Sequence, residues 1–127
     1  MNPQLMVAVA CGGALGSLSR YVVGVIAGRL LGSAFPWGTL FINIVGSFAI
    51  GVLVEIFALR WSASEFTRVF LTIGICGGFT TFSTFSLDTF LLLERGDYAA
   101  VGAYAVGSVV LAVGGLFAGL HLMRAIL

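Results

Sequence analysis

Charge is what this chain has least of. Charged residues make up 9% of its 127 residues, where ordinary soluble domains carry about 25%, and mean hydropathy is +1.14. Together these exclude an ordinary soluble domain. Lysine is absent, so all six basic residues are arginine, and a net charge of +1 gives no footing for nucleic acid. Cysteine is limited to Cys11 and Cys76, far apart and each inside an apolar run. They match no zinc or redox spacing and read as small core residues. The start, Met1–Asn2–Pro3–Gln4–Leu5, lacks the basic region of a cleaved signal peptide, so the first apolar run is expected to stay in place as a span.

What the chain does have is apolar length. Hydrophobic residues are 60% of it, and a membrane helix needs roughly 20 in a row. Four spans are expected, at 4–31, 37–58, 67–93 and 98–124, forming one all-α membrane domain over 1–127 with no room for a soluble catalytic domain. Pro3 suits a helix start. Gly32–Ser33–Ala34–Phe35–Pro36 is a cluster of helix breakers. Before the third span, Ser62 or Ser64 is a candidate cap, with Glu65 favourable at the positive helix end. Short connections make neighbouring helices antiparallel and put both termini on one side.

Glycine is abundant, with 18 residues. The pairs Gly12/Gly16, Gly24/Gly28, Ser47/Gly51 and Gly115/Gly119 have the spacing that lets helix backbones approach closely, and packing within one subunit explains most such pairs. Four helices of this size barely enclose a pore, which argues for an oligomer. Arg60, Arg68 and Arg124 fall on the side of the termini, and Arg20, Arg29 and Arg95 toward the other. Three against three gives the positive-inside rule no preferred orientation. Chains inserted both ways would form an antiparallel dimer, a two-chain version of the inverted repeat of many transporters. The plainer alternative is that Arg20 lies too deep to count and a weak bias remains.

The segment from Gly74 to Ser86 carries the most chemistry. Gly77–Gly78 followed by Thr80, Thr81, Ser83, Thr84 and Ser86 among Phe79, Phe82 and Phe85 is poor material for a lipid-facing helix. Non-helical backbone at membrane depth survives only where protein or a water-lined cavity satisfies it, and such breaks mark ion or substrate sites. A break is expected at Gly77–Thr80, freeing carbonyls able to coordinate a hard cation. The bland reading is a kink held by neighbouring hydroxyls. Beyond it, a period of three stacks Phe82 on Phe85, Ser83 on Ser86 and Thr81 on Thr84. An aromatic stripe usually faces lipid or core, but lipid offers the flanking hydroxyls nothing, and ring edges carry partial positive charge that suits an anion.

Thr39, Asn43 and Ser47 share a face of the second span, and Tyr104 and Ser108 a face of the fourth. A buried amide such as Asn43 is either glue between helices or a donor lining a path. Arg20 and Asp88 are ionisable residues within spans, functional candidates by default. They either pair or shape a vestibule, unless Arg20 snorkels to the headgroups. Glu55, Glu94 and His121 read as interfacial.

Gly16–Ser17–Leu18–Ser19–Arg20, the segment Gly38–Thr39–Leu40 with Asn43 and Gly46–Ser47–Phe48, and Gly77–Gly78 with Thr80–Thr81–Phe82–Ser83–Thr84–Phe85 together resemble the CrcB/Fluc fluoride channels. The resemblance runs the length of the chain. It implies a fluoride-selective channel rather than an enzyme, in the bacterial inner membrane, conferring fluoride resistance by passive export. It also implies a dual-topology homodimer with two antiparallel pores and a central structural Na⁺. By the same resemblance, Gly77 and Thr80 supply carbonyls to Na⁺, and Asn43, Phe82, Phe85, Ser83, Thr84, Tyr104 and Ser108 line the fluoride path. Arg20, Thr39 and Asp88 belong to the vestibule or its packing. Ala112, one turn past Ser108, shortens the hydroxyl track. The rival readings are a small proton-coupled drug exporter, which needs an embedded carboxylate, and a non-transporting scaffold subunit.

Overall fold

The computed structural model describes all 127 residues. Helix α1 (Pro3–Leu31) begins on Asn2, whose side chain accepts the Gln4 amide at 2.9 Å, and Pro3 fills a first-turn position where a missing amide costs nothing. It stops at Gly32, whose φ of +78° favours glycine. Helix α2 spans Trp37–Leu59. Helix α3, residues 65–79, is capped by Ser64, which accepts the Thr67 amide at 3.2 Å. Its middle, Phe70–Cys76, is wound as a π-helix, and Gly77–Phe79 complete a last α turn.

Thr80 (ψ 156°) and Thr81 (φ −153°, ψ 116°) are extended, and helix α4 (Phe82–Glu94) then starts. Of the extended residues, Thr80 is the last of the expected Gly77–Thr80 stretch and Thr81 lies just past it, while Gly77–Phe79 stay helical. The reason is local: Thr81 caps α4 by accepting the Thr84 amide at 3.1 Å, which needs non-helical backbone at Thr81 itself. Helix α5 (Tyr98–Ile126) is capped by Asp97. Counting residues 65–94 as one unit, four helices are long and apolar enough to cross a membrane.

Helix α2 packs most extensively on α5, and α1 on α3. Glycine allows both. A side-chain carbon on Gly119 would run into the Phe48 carbonyl and sit 2.9 Å from the Val52 amide, and one on Gly12 would sit 2.8 Å from the Gly74 Cα. Gly16 is pressed in the same way against Ile75 and Phe79. The Gly24/Gly28 pair differs: a side-chain carbon on either would meet nothing within 4 Å, although the Gly24 backbone itself lies close to Gly38 of α2.

Polar ties fix the two ends. Arg60 donates to the Leu127 carbonyl at 2.8 Å on the side of the termini, and Arg95 donates to the Ser33 and Ala34 carbonyls at 3.2 and 3.3 Å on the other. Glu55, expected at the interface, is buried instead: the tight α2–α5 contact sets it beside Arg124, which donates to it at 2.9 and 3.4 Å. Only 14 of 127 residues are buried, so most apolar surface is left for lipid or for other chains.

Candidate functional site

Asn43, on α2, sits opposite the interruption and takes both polar groups of one peptide residue. Its Oδ1 accepts the Thr81 amide at 2.8 Å, and its Nδ2 donates to the Thr81 carbonyl at 3.0 Å. A backbone N–H only donates and a carbonyl only accepts, so the amide can stand only one way round. In an unbroken helix the Thr81 amide would reach back to the Gly77 carbonyl; here it is diverted. Thr80 sends both its amide (3.0 Å) and its hydroxyl (2.9 Å) to the Cys76 carbonyl, and its own carbonyl receives no hydrogen bond. Arg20 reaches across from α1 and donates from Nε to the Gly78 carbonyl at 3.1 Å.

Two cavities flank this interruption, and Thr81 lines both. The larger, about 490 Å³, opens among α1, α2 and α4 and is lined by Arg20, Thr39, Thr84, Asp88 and Arg95, with Gly24 and Gly28 in its wall. The smaller, about 260 Å³, lies between α2, α4 and α5 and is lined by Asn43, Ser47, Thr80, Phe82, Phe85 and Ser108. Its far wall, Val109, Ala112 and Val113, is apolar. In this cavity the Ser108 hydroxyl is buried without any hydrogen-bond partner. With no partner inside the chain, this hydroxyl is free to donate to whatever occupies the cavity, water or a guest. The Phe82 and Phe85 rings lie 5.5 Å apart at 43°.

Residues 7–120 match the family described as CrcB-like protein, Camphor Resistance (CrcB). The chain belongs to this family. It is 60% identical to the fluoride-specific ion channel FluC of Nitrobacter winogradskyi, over 99% of this chain and 100% of that one. It is likewise 60% identical to fluoride-specific ion channel FluC 1 of Nitrobacter hamburgensis, over 98% of each chain. The FluC of Rhodospirillum centenum is 52% identical, over 95% of this chain and 96% of its own. Four spanning helices and these bacterial relatives make this CrcB-like chain a multi-pass protein of the bacterial inner membrane.

In this CrcB-like chain the expected site residues separate into groups. Asn43, Phe82, Phe85 and Ser108 meet at the smaller cavity, and Arg20, Thr39, Thr84 and Asp88 at the larger. Gly77 is exposed on the face of the chain. Arg20 and Asp88 do not pair: Arg20 turns to Gly78, while Asp88 accepts the Tyr104 hydroxyl at 3.0 Å. Tyr104 is 0% exposed, wedged between Phe85 and Phe35 (ring centres at 5.2 and 5.5 Å), and lines neither cavity. Ser83 is exposed, its hydroxyl 3.4 Å from that of Thr81. Sequence reasoning missed the π-helical segment, which brings Gly74 against Gly12. It also missed the seat of Thr80 on Gly46, where a side-chain carbon would strike the Thr80 methyl. The small-residue spacing of Gly12/Gly16 was the one available signal.

Proposed function

We propose that this chain is a fluoride-selective channel that carries the ion passively, as the names of its relatives indicate for them. One observation supports this reading above the others: the unpartnered Ser108 hydroxyl in a cavity edged by Phe82 and Phe85. Fluoride is small, strongly hydrated and a strong hydrogen-bond acceptor, so it crosses only where donors replace its water. Ser108 offers one donor, and Asn43 keeps one N–H beyond the one given to Thr81. The two phenylalanine rings present partly positive edges. Chloride, larger and a weaker acceptor, gains less from the same donors in a narrow passage. On the vestibule side, Arg20 and Arg95 supply positive charge that raises the local anion concentration. A negative-inside potential then drives fluoride out, which amounts to fluoride resistance.

The finer architecture is also part of the proposal. Balanced arginines and extensive exposed apolar surface, including Phe82 at 77% exposure, support an antiparallel homodimer with two pores. The interruption of the third span suits a structural Na⁺ at the interface. Gly77 has lost its helical donor to Asn43, Thr80 offers a carbonyl without a donor, and carbonyl oxygens are the ligands hard cations prefer. A sodium ion held there would supply a fixed positive charge and tie two chains together. Holding it would fall to the Gly77 and Thr80 carbonyls, whose chain neighbours Thr81 and Gly78 are bonded by Asn43 and Arg20.

The drug-exporter alternative finds no support, since the two carboxylates set in from the span ends are engaged, Glu55 by Arg124 and Asp88 by Tyr104. A growth assay tests the channel reading. Bacteria stripped of their own fluoride exporters should grow in fluoride that stops the parent strain when they express this chain, and should not when they express the Phe82→Ile form. Equal sensitivity with and without the expressed chain would refute the function.

A further inference from the structure

We infer that Asn43 is a positioning residue for the cation site as well as a wall of the anion cavity, and that it links the two through the Thr81 peptide. This rests on the proposal that Gly77 and Thr80 hold sodium. Three observations carry it. Both polar groups of Thr81 end on the Asn43 side chain, at 2.8 and 3.0 Å. The amide so captured is the one that would otherwise close a helical bond onto the Gly77 carbonyl. One turn along α2, Gly46 leaves room for the Thr80 methyl, because a side-chain carbon there would collide with it. A single helix face thus templates both extended residues: Asn43 replaces the helical partners of Thr81, and Gly46 seats Thr80.

The membrane makes this arrangement decisive. Backbone groups in the hydrocarbon layer have no water to fall back on. Without Asn43, the Thr81 amide has one good alternative partner nearby, the Gly77 carbonyl. Taking it would withdraw that oxygen from the cation. The same side chain presents its second N–H to the smaller cavity, so a change at Asn43 acts on anion and cation together.

The test uses the full-length protein purified as a dimer, with two readouts on each variant. One is the sodium concentration that half-maximally raises the melting temperature, with N-methylglucamine as the replacement cation. The other is amide hydrogen exchange over residues 77–85. Asn43→Leu keeps the branched outline, at a somewhat larger volume, and removes both hydrogen bonds. It should raise the sodium midpoint about tenfold or more, and its Thr81 amide, now bonded to the Gly77 carbonyl, should exchange faster as sodium is added and competes for that oxygen. Asn43→Asp keeps the acceptor for the Thr81 amide and loses the donor, so its midpoint should fall between the other two; it also serves if the leucine variant yields no dimer. Ser108→Ala, which shares the cavity but not the interruption, should keep the wild-type midpoint. Wild-type sodium dependence and exchange in the Asn43 variants, with fluoride flux lost, would overturn the inference. A wild-type protein indifferent to sodium would instead overturn the sodium reading and with it the link, while the exchange data would still report whether Asn43 holds Thr81.

Discussion

The Ser108 hydroxyl gives the sharpest separation of structure from function. It is 6% exposed and has no hydrogen-bond partner. Ser108 has no partner inside the chain and lines a cavity roomy enough for water, so Ser108→Ala breaks no contact within the fold and should leave stability unchanged. Transport should fall. A hydrogen bond to a charged group is worth about 1.5–3 kcal/mol, and each 1.36 kcal/mol is tenfold in rate. If Ser108 donates to fluoride at the barrier, flux should fall by about ten- to a hundredfold. The assay pairs a melting curve in detergent with fluoride efflux from liposomes on the same preparation. Unchanged flux with a lowered melting temperature would refute the reasoning, because it would make Ser108 a packing residue.

Three further outcomes follow from the packing. Gly119→Ala drives a methyl group into the Phe48–Val52 backbone and should cost about 1–3 kcal/mol. Gly107→Ala, with nothing within 4 Å, should be neutral or stabilising by up to about 1 kcal/mol; equal melting shifts in the two would contradict the α2–α5 contact. Phe82→Ile should abolish fluoride flux with little loss of melting temperature. Phe85→Ile should lose both, since Phe85 also packs on Tyr104 at 5.2 Å; the same melting loss in both would contradict this. Arg124→Met strands the buried Glu55 carboxylate, whereas Glu55→Gln leaves an arginine already 61% exposed. Melting temperature should therefore fall further for Arg124→Met, and the reverse order would show that the pair contributes otherwise.

Much of the fold was legible because membrane helices announce themselves. Apolar length set the four spans, and Pro3, Gly32 and Ser64 mark helix ends by chemistry that acts within a few residues. The interruption was legible in kind from Gly77–Gly78 and the hydroxyls after them. Thr80 falls inside the expected Gly77–Thr80 range; the extension to Thr81, a local cap, is held from Asn43, 38 residues away in sequence. Tertiary partners explain the other differences too. Tyr104 and Asp88 each look like path residues alone, and only packing shows that they bond to each other. Arg20 and Asp88 share a side of the membrane, yet Arg20 finds a nearer partner in the Gly78 carbonyl. The Gly24/Gly28 spacing equals that of Gly12/Gly16, but one pair lines a cavity and the other clamps a helix.

Fluoride selectivity is tested most directly by efflux from liposomes holding the purified protein, with fluoride and chloride electrodes read in parallel and the voltage clamped by potassium and valinomycin. Rapid fluoride loss without chloride loss, abolished by Phe82→Ile, is the predicted result. Chloride leaving as fast as fluoride, or no fluoride leaving from a verified dimer in sodium buffer, would contradict it.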